Sequence, residues 1–118
     1  MPSERPALRL QDIVENAQAI FVYTQGMGAE AFGQNRLVYD AVERCLERIS
    51  EAAAKLGEEA TALVPEVPWR DIRALGNRLR HNYEEIAADR LWRIVHDDLP
   101  VLLAGCEAAL RKLRETGG

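Results

Sequence analysis

Residues 35–56 read NRLVYDAVERCLERISEAAAKL, and their pattern decides the fold. Val38, Ala41, Val42, Cys45, Ile49, Ala52, Ala53 and Leu56 recur at helical spacing, with Glu, Arg and Lys on the other face. One apolar stripe therefore runs the length of an amphipathic helix. Gly57 follows directly, where a glycine accepts the left-handed conformation common just past a helix C-terminus.

The same periodicity extends on both sides. Upstream, Leu10, Ile13, Val14, Ala17, Ile20 and Phe21 make one stripe on a first helix that ends near QGMG (25–28), with a hairpin connection after it. Downstream, EEATALVPEVPW (58–69) reads as a connector with one short helical turn, and Pro68 stands where a first-turn proline is tolerated, so a third helix starts there. Asp89 is the expected N-cap of a last helix running to about Leu113, and Pro100 inside it is expected to bend or locally break it. No strand pattern and no solenoid-length repeat is present. The expected fold is all-α, an antiparallel bundle of four to five helices joined by short connections.

Composition limits the function. A chain of 118 residues with 47% apolar content fits a single domain over 1–118, its core within about 8–113. A net charge of −4 argues against a general nucleic-acid coat, since non-specific phosphate binding depends on an excess of Lys and Arg. Any contact with RNA must be local. Cys45 and Cys106 are expected to be reduced, buried thiols of a cytoplasmic protein, because no secretory pattern is read. No apolar run approaches the roughly 20 residues that span a bilayer, so a soluble protein with no membrane partner is expected.

The third helix carries the chemistry. At 100° per residue, Ile72, Leu75, Leu79, Tyr83 and Ile86 share one narrow sector, and Arg70, Arg73, Asn77, His81 and Glu84 lie on the opposite side. One side is expected to pack and the other to face solvent. Residues 69–81 hold four arginines against one aspartate, a positive patch on an acidic chain. Arginine forks match phosphate geometry, asparagine can donate to it, and histidine exchanges protons near neutral pH. Those groups suit transesterification of an RNA phosphodiester, which needs an acid or base at the 2′-hydroxyl and leaving oxygen and donors around the phosphoryl oxygens. An arginine-rich helix face with one histidine is, on composition alone, more commonly just a solvated surface.

From about Leu8 to Leu113 the chain resembles the HepT-like branch of the HEPN superfamily of small helical bundles. The resemblance is carried by RLQDIVENAQAI, NRLVYDAVERCLERISEAAAKL, VPWRDIRALGNRLRHNY and LWRIVHDDLPVLL, and above all by PWRDI, GNRLRHNY and DDLP in that order. It implies a metal-independent endoribonuclease without a cofactor, the toxin of a toxin–antitoxin pair, acting as a homodimer whose catalytic helices meet at the interface. It also implies a minimal nucleotidyltransferase antitoxin that attaches AMP to a tyrosine. By position, His81 would be the catalytic histidine, Asn77 the polar residue of the motif, and Tyr83 the modified tyrosine.

In one place the chain departs from the pattern. The motif's arginine, five positions before the histidine, is Gly76 here. Arg73 and Arg78 are the substitutes considered for holding the phosphate. Arg73 lies about 12 Å along the axis from His81, and in a two-fold dimer Arg73 of one chain can serve His81 of the other. Arg80 points about 100° around the axis from His81. Gly76 itself admits two readings, close helix packing or a catalytic role for its backbone. Tyr83 admits two as well, a place in the packed stripe or, if the helix ends near Asn82, release for modification. Two functions thus stay open: an active ribonuclease toxin, or a catalytically inactive HEPN-type module that dimerises and binds a nucleotidyltransferase.

Other features point elsewhere only faintly. Trp69 and Trp92 read as core or interface anchors, and Phe32 and Val38 as exposed apolar residues near helix edges. His96, Asp97 and Asp98 are adjacent and point in different directions, which disfavours a zinc site. QGMGAE lacks the glycine spacing and lysine of a phosphate-binding loop, and no serine–histidine–acid arrangement is present.

Overall fold

The computed structural model describes residues 5–81 and 86–116, and among these it is helical without strands. The long helices are α1 (Pro6–Tyr23), α3 (Arg36–Leu56), α5 (Trp69–His81) and α7 (Leu99–Glu115). Short helices α2 (Ala29–Gly33), α4 (Glu59–Leu63) and α6 (Ala88–Arg93) stand between them. The all-α bundle expected from the sequence is what forms. No helix among the described residues is long and apolar enough to cross a membrane.

The central element is α3, with α1 packed on one side and α5 on another, while α7 closes over α1. Its start is set by Asn35, whose side chain accepts from the Val38 N–H at 3.0 Å and so satisfies one of the open donors of the first turn. Its end is set by Gly57, at φ 60°. Between them Val42, Cys45, Ile49, Ala53 and Leu56 are buried, as the stripe predicts.

The connection after α1 is more structured than a hairpin. Thr24 closes α1 by donating its hydroxyl to the Ile20 carbonyl at 2.8 Å, and α2 then turns Phe32 inward. Phe32 is fully buried, with ring centroids 6.0 Å from Tyr39 and 5.4 Å from Trp92, so it is a core residue and not an exposed edge. Burying such a side chain contributes roughly 1.5–3 kcal/mol. That gain explains why five residues of loop coil into a helical turn.

Trp69 is also core, 3% exposed, with its Nε1 donating to the Val64 carbonyl at 2.9 Å. This bond fixes the angle at which the chain leaves α4 and enters α5. Trp92 is half-buried between Phe32 and His96.

The last helical region departs from expectation at two points. Its N-cap is Ala87 rather than Asp89; Asp89 lies in the first turn of α6, where a carboxylate faces the positive helix end. Pro100 does disturb the helix, and the disturbance falls just before it. Residues Ile94–Asp98 form a π-helical turn in which the Leu99 N–H donates to the Ile94 carbonyl, five residues back. Pro100 thereby sits in the first turn of α7, where its missing N–H is harmless.

Candidate active site

On α5 the buried residues are Trp69 and Gly76, whereas Ile72, Leu75 and Leu79 are only half-buried. The face pressed on α3 is thus rotated by about 60° from the apolar stripe. Ile86 is buried but lies outside the helix.

The cause is Gly76. A Cβ placed there would collide with both Oγ and Cβ of Ser50, so only a glycine lets the two backbones approach this closely. Of the two readings of Gly76, close packing is the one observed. Arg73 and Arg80 flank the contact, each reaching an acceptor on α3 with its guanidinium.

Each sequence-predicted residue has a definite place. His81 is exposed in the last turn of α5, and Asn77, one turn earlier, is exposed as well. Arg73 is half-buried, and its Nη1 donates at 3.4 Å to the carbonyls of Ala53 and Gly57. It ties α5 to the end of α3 by adding a donor to carbonyls that already accept the Gly57 and Ala60 N–H groups. Arg78 is half-buried on the opposite flank, bordering an open groove of about 550 Å³ also lined by Leu75, Arg90, Asp71 and Asp98. Asn77 and His81 are thus brought together on one face, and Arg73 and Arg78 are turned away to either side. Tyr83 lies outside the described residues.

Sequence reasoning passed over the arginine nearest the site. Arg80 donates from Nη1 to Ser50 Oγ at 3.2 Å and from Nη2 to Asn77 Oδ1 at 3.1 Å. Its position three residues after Asn77 and four after Gly76 was a signal available in the sequence. Ser50 was not findable that way. It is 1% exposed on α3, donates its own hydrogen to the Glu47 carbonyl at 2.8 Å, and so turns a lone pair toward Arg80.

The electrostatics are one-sided. No carboxylate among the described residues pairs with Arg70, Arg73, Arg78 or Arg80, although ion pairs decorate the other helices. With Asn77 Oδ1 engaged by Arg80, the amide Nδ2 hydrogens are left for a ligand. The face can therefore present guanidinium and amide donors to a phosphate, with an imidazole one turn away.

Neither cysteine competes as a nucleophile. Burial raises the Cys45 thiol against the partial opposition of Arg48 and Arg44, and burial with the Glu66 carboxylate pushes Cys106 up to about 12. Among the described residues no three His, Cys, Asp or Glu side chains cluster as metal ligands, and His96 pairs with Asp97 at 3.1 Å on the surface.

Fold and site together define a small all-α protein with an Arg–Asn–His face on its third long helix. Residues 13–109 match the family described as ribonuclease HepT-like, and the chain belongs to that family. It is 35% identical to "Putative RNase MJ1380" of Methanocaldococcus jannaschii over 91 residues, 77% of this chain and 84% of the relative. It is 33% identical to "Probable ribonuclease HepT" of Thermococcus cleftensis over 93 residues, 79% of this chain and 84% of the relative. A second protein of M. jannaschii, "Putative RNase MJ0127", is 34% identical over 100 residues, 85% of this chain and 83% of the relative. No solved structure matches the chain with significance.

Proposed function

We propose that the protein is a metal-independent endoribonuclease that cleaves RNA by transesterification at the polar face of α5. The observation that carries this reading is the exposure of Asn77 and His81 one turn apart, beside arginines without carboxylate partners among the described residues. In the reaction the 2′-oxygen attacks phosphorus and the P–O5′ bond breaks, leaving a 2′,3′-cyclic phosphate and a 5′-hydroxyl. His81 takes the 2′-hydroxyl proton or supplies the one that the O5′ leaving group acquires. In a two-fold pair the two copies of His81 divide these tasks.

The family supports the wider setting: a toxin silenced by a minimal nucleotidyltransferase antitoxin that attaches AMP to Tyr83. A homodimer in which the polar faces of the two α5 helices meet belongs to the same family setting. A cytoplasmic site of action is part of the same reading.

The test is cleavage of a mixed-sequence RNA in EDTA by wild type and His81→Ala, with the purified protein checked by mass for AMP. Cleavage that disappears in His81→Ala, and that a 2′-O-methyl RNA resists, is expected. Gly76 in place of the motif arginine favours the other reading, a binding module without catalysis. Unmodified wild type that binds the nucleotidyltransferase and leaves RNA intact would establish that instead.

A further inference from the structure

We infer that Arg80 is the phosphate-binding arginine of this site and that Ser50, from α3, is its positioning residue. The inference rests on the ribonuclease reading and adds to it the identity of the cation.

Three observations converge. First, Arg80 is exposed and reaches back along α5, so that Nη1 stands 3.3 Å from where a Cβ on residue 76 would be. Helical side chains lean toward the N-terminus, which makes a residue four positions later cover this spot. The guanidinium thus lies over the place from which a side chain at position 76 would start.

Second, the guanidinium is held by neutral acceptors. Ser50 Oγ takes Nη1 and Asn77 Oδ1 takes Nη2, and no carboxylate among the described residues opposes its charge. An arginine fixed by neutral partners retains its full attraction for an anion, and its remaining N–H groups can fork onto phosphoryl oxygens. Ser50 is suited to the fixing because its own hydrogen is committed to Glu47. The glycine that allows Ser50 to reach α5 is therefore part of the same device.

Third, the two substitutes that the sequence offers are directed elsewhere. Arg73 is tied to the end of α3 through Ala53 and Gly57, and Arg78 lies on the groove side. Among the described residues only Arg80 is bonded to Asn77, the neighbour of His81 on the exposed face.

The experiment compares Arg80→Ala, Arg80→Lys, Ser50→Ala, the Ser50→Ala/Arg80→Ala double variant, Arg73→Ala and Arg78→Ala. Each is assayed for RNA cleavage, for binding of 2′-O-methyl RNA, and for thermal midpoint. Arg80→Ala is expected to lose about 10²–10³-fold in kcat at an unchanged thermal midpoint, with partial recovery in guanidinium chloride too dilute to denature. Arg80→Lys keeps charge without the fork and is expected to fall between. Ser50→Ala should lower kcat in the wild-type background and change nothing further in Arg80→Ala, a non-additivity that a merely structural role would not produce. Arg73→Ala should lower the thermal midpoint.

Wild-type cleavage by Arg80→Ala, with the loss appearing in Arg73→Ala or Arg78→Ala, would overturn the assignment. If wild type cleaves nothing, the ribonuclease reading fails by itself and the 2′-O-methyl RNA series still decides. Weaker binding in Arg80→Ala than in Arg73→Ala or Arg78→Ala then supports Arg80 as the phosphate contact, and equal binding refutes it.

Discussion

The hydroxyl of Tyr39 donates a 2.6 Å hydrogen bond to the carbonyl of Ile86, 47 positions further along the chain. Both residues are buried, so the bond fixes where the chain re-enters the core beyond His81. Tyr39→Phe leaves that carbonyl without this donor and should destabilise by about 1–3 kcal/mol. Urea unfolding should show a lower midpoint at an unchanged slope.

Gly76→Ala adds one carbon where Ser50 already stands. Overpacking of this kind costs about 1–3 kcal/mol, against the ~1 kcal/mol that alanine gains over glycine in a helix. A net loss of stability is expected. Adding Ser50→Gly should remove the collision, so the double variant should melt above Gly76→Ala corrected for the single Ser50→Gly effect. A double-mutant cycle on thermal midpoints measures this.

The Cys106 thiol, pushed up from its ordinary 9.0 to about 12, gives a pH dependence of definite sign. Its folded-state pKa lies above the unfolded one, so its contribution is complete below pH 9.0 and is lost as pH rises toward 12. The steepest loss from one such thiol is about 1.4 kcal/mol per pH unit. Cys106→Ala should be less stable at neutral pH, because it leaves a cavity, yet show a shallower decline across that alkaline window. Urea midpoints against pH compare the two.

Arg70 is exposed in the first turn of α5, on the same face as Asn77 and His81 and about two turns before Asn77. If RNA runs along this face, Arg70→Ala should reduce the slope of log affinity against log salt by about 0.7, the value for one single-strand phosphate contact. Titration of 2′-O-methyl RNA at several salt concentrations provides the check.

The helices were legible because their periodicity is local, and so were the stop at Gly57 and the start after Pro68. The π-helical turn was half legible: Pro100 announced a disturbance, but its placement at Ile94–Asp98 depends on how the chain packs before the proline. The face of α5 turned toward α3 was not legible. Apolar counting favours Ile72, Leu75 and Leu79, whereas a glycine has no side chain to count, and its value here is the approach it permits. Arg80 was missed for a related reason. Angles around an ideal helix place its Cβ away from His81, but a long side chain can lean a full turn and deliver its charge elsewhere.

The contact of Gly76 with Ser50 also constrains how this protein can change. Arginine at position 76 cannot enter without displacing Ser50 or α3, since its first side-chain atom meets them before the guanidinium reaches any ligand. A smaller residue at 50 relieves the collision, and that step withdraws the acceptor from Arg80. Positions 50, 76 and 80 are therefore coupled through space, and a substitution at one changes what the other two can accept.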